Sequence, residues 1–191
     1  MGELEKAIEE ITYECEKFPG RALRTIVEHR EEAVPYLRGA VEKALREGKE
    51  LEEEYQLHFY ALYLLGEFED RESFPRIMEL VSLPGDTLEL LIGDTITEGL
   101  KDILYHTYNG DIGLLKKAAV NEQANEFART AVVDVMGQLY LDGSLEEEEW
   151  KAFIKQSVYD GKEYNYFYNE LASAICQCHF TDMLPEIRHI E

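Results

Sequence analysis

Apolar residues recur along most of this chain at spacings of three and four positions. Leu4, Ala7, Ile8, Ile11 and Cys15 form one stripe with glutamates on the other side, the spacing of a helix that buries a single face. The same period runs through 22–27, 34–45, 57–68, 74–81, 114–120, 127–141, 150–158 and 167–178, and no alternating pattern long enough for a strand interrupts it. The breaks are short and rich in glycine, proline, asparagine and aspartate: 18–20, 83–86, 109–111, 141–144 and 160–162. Such punctuation turns the chain between helices and does not separate domains. The pattern predicts an all-α fold of about ten short helices, one domain over residues 1–191.

The helices show signs of repeating. Val34-Pro35-Tyr36-Leu37, Phe74-Pro75-Arg76-Ile77 and Leu184-Pro185-Glu186-Ile187 share the form apolar, proline, any residue, apolar. Proline is best tolerated in the first turn of a helix, where its missing N–H loses no bond. Each is therefore expected to open the second helix of a hairpin. Asp70, Asp111, Asp142 and Asp182 punctuate the turns at spacings of 41, 31 and 40, the period of two-helix units that bury their apolar faces only by stacking.

Within that pattern, residues 61–80, ALYLLGEFEDRESFPRIMEL, resemble a HEAT-like repeat of the phycobilisome-lyase type. Ala61, Leu65-Gly66, Asp70, Pro75, Ile77 and Leu80 fall on its small, Leu-Gly, turn, proline and apolar positions, and 131–137 with Asp142 is a weaker echo. The run 57–111 is similar to an uncharacterised bacterial family of HEAT-like proteins known only as a domain of unknown function. The resemblance implies an α-solenoid of stacked HEAT-like helical hairpins. It implies no catalytic activity, because the shared residues are packing and turn residues.

Charge narrows the partners. The chain carries 19 Lys and Arg against 40 Asp and Glu, a formal net charge of -21, so its surface repels phosphate and disfavours nucleic acid and anionic membrane. Hydrophobic residues still make up 45%, which argues for a packed core rather than disorder. Cys15, Cys176 and Cys178 are odd in number and scattered, not a disulfide framework. The acidic start lacks a signal-peptide pattern and no apolar run is long enough to span a bilayer. A cytoplasmic protein is the expectation.

The stretch LIGDTITEGL, residues 91–100, is the hardest to place. Leu88, Leu91, Ile92, Thr95, Ile96, Gly99, Leu100, Ile103, Leu104 and Thr107 keep one stripe in phase across Gly93, as one long, kinked helix would. Against this, Thr95 to Glu98 has the form of a capping box that starts a new helix at Thr95. Gly93 and Gly99 suit close approach by a neighbouring helix. On the opposite face Asp94, Thr97, Glu98, Lys101, Asp102 and Tyr105 make a polar band, a candidate binding surface.

Other chemistry is thin. Cys176 with His179, and Glu186 with His189, fall short of a metal site, and no nucleophile, phosphate-loop or dinucleotide motif is present. No catalytic residue, metal or cofactor is expected. Tyr164, Phe167, Tyr168 and Leu171 share a face and read as core, whereas Tyr166 falls off it and is expected at a partner surface. The expected function is a non-catalytic helical-repeat scaffold for a protein or basic peptide, with self-association as a further route. The alternative is an enzyme or metal-binding protein using the acidic and histidine face of Asp94, Glu98, Asp102 and His106.

Overall fold

The amphipathic stripes fold as thirteen α-helices in the computed structural model, which describes residues 2–15, 17–160 and 165–190. They are α1 (Glu3–Glu10), α2 (Gly20–Glu28), α3 (Arg30–Glu47), α4 (Leu57–Glu67), α5 (Phe74–Val81), α6 (Gly85–Ile92), α7 (Thr95–Glu98), α8 (Leu100–Thr107), α9 (Ile112–Ala119), α10 (Glu126–Leu141), α11 (Glu147–Asp160), α12 (Tyr166–Gln177) and α13 (Leu184–Ile190). Among the described residues there is no strand, only two isolated bridges, Tyr13 with Tyr55 and Pro84 with Ala124. Tyr164 and most of the 160–162 break lie outside the described residues.

The count exceeds ten because the stripe 88–107 is cut into three helices and the last proline segment forms a helix of its own. Gly93, with φ of +44°, ends α6 in a conformation that side chains resist. A new helix does begin at Thr95, but no capping box forms. Asp94 occupies the cap position without a side-chain bond, and the Thr97 hydroxyl donates to its carbonyl at 3.2 Å. Thr95 turns inward instead and is buried. All ten stripe residues are buried even so, because each short helix restarts with its apolar side toward the same core.

Gly99 separates α7 from α8 and is a true close approach. A Cβ there would lie 2.6–2.9 Å from the Tyr63 ring and hydroxyl, closer than carbon atoms pack. The clashing atoms are the far end of the half-exposed Tyr63 side chain, which can swing outward, so Gly99→Ala is expected to destabilise by no more than about 1 kcal/mol. The Tyr63→Ala, Gly99→Ala double variant should recover most of that loss in a urea-denaturation cycle; additive losses would show that the strain lies elsewhere.

Helix α4 packs on α3 and on α8, α8 packs on α10, and α10 packs on α12. Beside this row α5 meets α3 and α9, and α13 meets α11 and α12. One contiguous apolar cluster runs between them from Leu4 to Met183, with Trp150, Phe74 and Phe167 the largest fully buried side chains. Side-chain caps fix three helix starts: Asp111, Asn125 and Asn165 each accept from a backbone N–H of the first turn.

The corners between helices share a hydrogen-bond pattern. Backbone N–H groups of 68, 69 and 70 donate to the carbonyls of 64, 66 and 65, those of 142, 143 and 144 to 138, 140 and 139, and those of 178, 179 and 180 to 174, 176 and 175. The central residue of each has positive φ: Glu69, Gly143 and His179, with Gly110 a fourth left-handed corner. Leaving the corner, 71, 112 and 181 donate to the carbonyls of 69, 110 and 179. The aspartates are therefore not equivalent markers. Asp70 and Asp111 follow the positive-φ residue, Asp142 precedes it and Asp182 lies three beyond. Pro75 and Pro185 do stand in the first turn of α5 and α13, whereas Pro35 lies inside α3.

Candidate functional site

Because α8 lies between α4 and α10, its polar band is divided between two neighbours. Glu98, Asp102 and His106, each four residues apart, turn toward α4 and close a groove of about 430 Å³ with Tyr63, Gly66, Glu67 and Glu69. Lys101 and Tyr105 turn toward α10 and the corner after it. Lys101 Nζ lies 3.8 Å from the Asp134 carboxylate, and the Tyr105 hydroxyl donates to Asp142 at 2.8 Å. Asp94 and Thr97 are exposed and do not line the groove. Tyr166 is exposed, as its position off the stripe predicts, and its ring lies 5.1 Å from that of Phe127. Of the seven candidate residues, the fold brings only Glu98 and Asp102 together in one hollow.

The groove exists because two glycines let the helices close. A Cβ on Gly66 would sit 3.4 Å from the Ile103 Cα, so α4 rests almost directly on the α8 backbone, and Gly99 accepts the Tyr63 ring. Four carboxylates then share the space: Glu67, Glu69, Glu98 and Asp102, with His106 as the one basic-capable group among the lining residues. A low-dielectric cleft lined by one sign of charge concentrates its field and attracts the opposite charge. From Glu69 and His106 a second hollow continues past Arg71, Tyr105 and Asp142. Burial works against the Asp142 charge, but hydrogen bonds from Ser144 and Tyr105 outweigh it and hold the carboxyl below its usual range.

A second cluster joins three helices beside the groove. Glu170 of α12 is half-buried, shares a hydrogen bond with Asp134 of α10, and feels Lys101 of α8 and Ser173 of its own helix. Burial first, then the neighbouring Asp134 charge, push its carboxyl up to about 7. Among the described residues no three His, Cys, Asp or Glu side chains converge in an arrangement that could hold a metal ion. Cys176 is exposed on α12, Cys178 is buried, and His179 sits in a corner beyond the helix end. His189 packs on Tyr159, ring centroids 4.7 Å apart.

Tyr63, Glu67, Glu69, Asp134 and Glu170 are the site residues that reading the chain missed. The available signal was Gly66 and Gly99. Each marks a place where something comes close, but neither says that the partner is the helix carrying the other.

Fold and groove together define an all-helical protein with an acidic cleft between packed helices. The chain belongs to a family described as protein of unknown function (DUF1186), whose model matches residues 2–190. It is similar to an uncharacterized protein of Chlamydia muridarum, 26% identical over 139 residues, 72% of this chain and 55% of the relative. It is likewise similar to an uncharacterized protein of Chlamydia trachomatis, 26% identical over 133 residues, 69% of this chain and 53% of the relative. The chain thus spans about half the length of the curated relatives it matches. No solved structure matches it.

Proposed function

We propose that this protein is a non-catalytic α-solenoid of HEAT-like hairpins that holds a basic protein segment or peptide in the groove between α4 and α8. The observation that carries the reading is the convergence of Glu67, Glu69, Glu98 and Asp102, from three helices and a corner, on one cleft walled by Tyr63. The repeated corner geometry and the row α4, α8, α10, α12 support the solenoid. The net charge of -21 favours basic protein over nucleic acid or anionic membrane. Three unpaired thiols, one exposed, favour the cytoplasm or another reducing compartment. The metal or enzyme alternative has less support, because Asp94 stands apart from Glu98, Asp102 and His106.

Titrating fluorescent peptides rich in lysine and arginine tests the proposal. Binding should weaken steeply as salt rises and screens the exposed charges. The Glu98→Gln, Asp102→Asn double variant should bind about tenfold more weakly, roughly 1.4 kcal/mol, with an unchanged melting curve. Wild-type affinity in that variant would remove the assignment to this groove.

A further inference from the structure

Tyr166 is the first residue of α12 and is 56% exposed, and Phe127, the second residue of α10, is 40% exposed. Their rings meet across the two helix starts, centroids 5.1 Å apart. Exposed rings present π-faces to solvent, and a π-face attracts a cation. Helices α10 and α12 pack together and run the same way, since their starts meet at Phe127 and Tyr166 and their middles at Asp134 and Glu170. Glu170 lies one turn beyond Tyr166 on the same face of α12, about 6 Å along the axis. The seam between the two helices therefore carries an aromatic pair and, next along it, a pair of carboxyl groups.

That carboxyl pair is one cation short. An ionised carboxylate only accepts hydrogen bonds, so the bond between Asp134 and Glu170 needs a proton. Among the described residues, Lys101 of α8 supplies the facing cation, 3.8 Å from Asp134, and Ser173 of α12 adds a neutral hydrogen bond to Glu170. Arg129 of α10 is not a second one. It is buried, bonds the Ala119 carbonyl at 2.7 Å and lies 4.2 Å from the centre of the Phe167 ring, and Glu122 and Glu126 beside it contribute further negative charge. Two carboxyl groups thus share one ammonium, and a proton stands where a second cation would. Burial and the neighbouring carboxylate push Glu170 up to about 7, so near neutral pH an arriving cation displaces that proton at little cost.

We infer that the seam between α10 and α12 takes an arginine of the basic partner, laid over the Tyr166 and Phe127 rings with its guanidinium bridging Asp134 and Glu170 in place of their shared proton. Arginine fits better than lysine, because a planar guanidinium stacks on rings and presents several N–H groups to two carboxylates at once, whereas an ammonium is a compact point charge. The inference rests on the groove reading for its partner and its register. Lys101 reaches Asp134 and Asp134 reaches Glu170, so side-chain contacts run unbroken from α8 to α12. The acidic groove and the seam are two helix spacings apart, about 8–10 Å each, a span that extended chain covers in about five residues. The partner segment therefore crosses the row of helices, with an arginine about five positions from the basic residues held in the groove.

The test uses rhodamine-labelled Arg-Gly-Ser-Gly-Ser-Lys-Lys, its reversed order, and matching peptides with the arginine replaced by lysine. In one order the arginine peptide should bind about fivefold more tightly than its lysine counterpart, and the Tyr166→Ala and Glu170→Gln variants should each remove that difference. Calorimetry at pH 6.5 in buffers of different ionisation enthalpy should show about half a proton or more released per arginine peptide, falling to nearly none at pH 8.5, where the proton has already left. Affinity for the arginine peptide should accordingly rise between pH 6 and pH 8. In protein labelled with ¹³C-glutamate, argininamide alone should move the Glu170 carboxyl resonance downfield, toward its ionised position. Equal affinity and equal proton release for arginine and lysine peptides in both orders overturn the seam, and weaker binding to the Glu98→Gln, Asp102→Asn variant then leaves the groove standing. Undiminished binding of the arginine peptide to that groove variant, with Glu170 still answering argininamide, upholds the seam and overturns the groove. No binding by any peptide, with an unmoved Glu170 signal, overturns both.

Discussion

Phe74→Ala is expected to be among the most damaging single substitutions in this protein, costing about 3–5 kcal/mol of stability. Phe74 is the first residue of α5, is fully buried, and meets the Tyr108 ring edge-on at 5.4 Å. It sits where a corner, α5 and the end of α8 come together. Truncation removes its transfer free energy and leaves a cavity that helices pinned by the Glu69 corner cannot easily close. Phe74→Leu, which keeps most of the volume, should cost about 1–2 kcal/mol. Urea denaturation of the two variants at equal m-values checks this. A loss below 1 kcal/mol for the alanine variant would mean that this junction collapses freely and does not define the packing of α5.

The second large effect is one of pH. Glu170 has an ordinary pKa of 4.5 and is pushed up to about 7 in the fold. The native state therefore binds a proton that the unfolded chain has already released between those values. Its contribution is fully present below pH 4.5 and is lost as pH rises through about 7. The facing groups are Asp134 from α10, which holds the proton in place, and Lys101 from α8, which partly offsets the loss. Because Glu170 is only half-buried and solvent screens its charge, the full linkage is reduced, and wild-type stability should fall by about 1 kcal/mol between pH 5 and pH 8. Glu170→Gln keeps a donor toward Asp134 and carries no charge at any pH, so it should flatten that fall and be the more stable protein at pH 8. A wild type equally stable at both values would remove the shared-proton description of Asp134 and Glu170. Below pH 4 the trend reverses. Asp86 and Asp182 are held low by hydrogen bonds from Lys49 and Lys151, and the stability they add is lost on acidification.

Much of the fold was legible along the chain, and its failures have physical causes. The stripe from Leu88 to Thr107 correctly named ten buried positions, yet it suggested one helix where there are three. Burial needs only that apolar side chains face the core, and a turn at Gly93 that restarts in phase preserves that facing while breaking the hydrogen-bond ladder. Thr95 and Glu98 matched a capping motif, but Thr95 is buried on the core side of α7, where its hydroxyl accepts a long bond from Tyr63 at 3.4 Å. The proline pattern was right for Pro75 and Pro185 and misleading for Pro35. Proline records a tolerated φ, and α3 tolerates one in its interior at the cost of a single backbone bond. Tyr166 was read correctly as exposed, because departure from a stripe is a local property.

The candidate site was the less legible part. Asp94, Thr97, Glu98, Lys101, Asp102 and Tyr105 share one helical band, and the sequence treats them as one surface. The structure sends Glu98 and Asp102 to one neighbour and Lys101 and Tyr105 to another. Local periodicity determined which residues turn away from the core, where the chain bends, and that the surface is strongly acidic. Only the tertiary structure decided that α8 lies between α4 and α10, and so which of those polar residues meet Glu67 and Glu69 and which meet Asp134. The reason is that periodicity is set by the geometry of one helix, whereas a cleft is set by the distance between two, here fixed by glycines 33 residues apart whose pairing no local rule encodes.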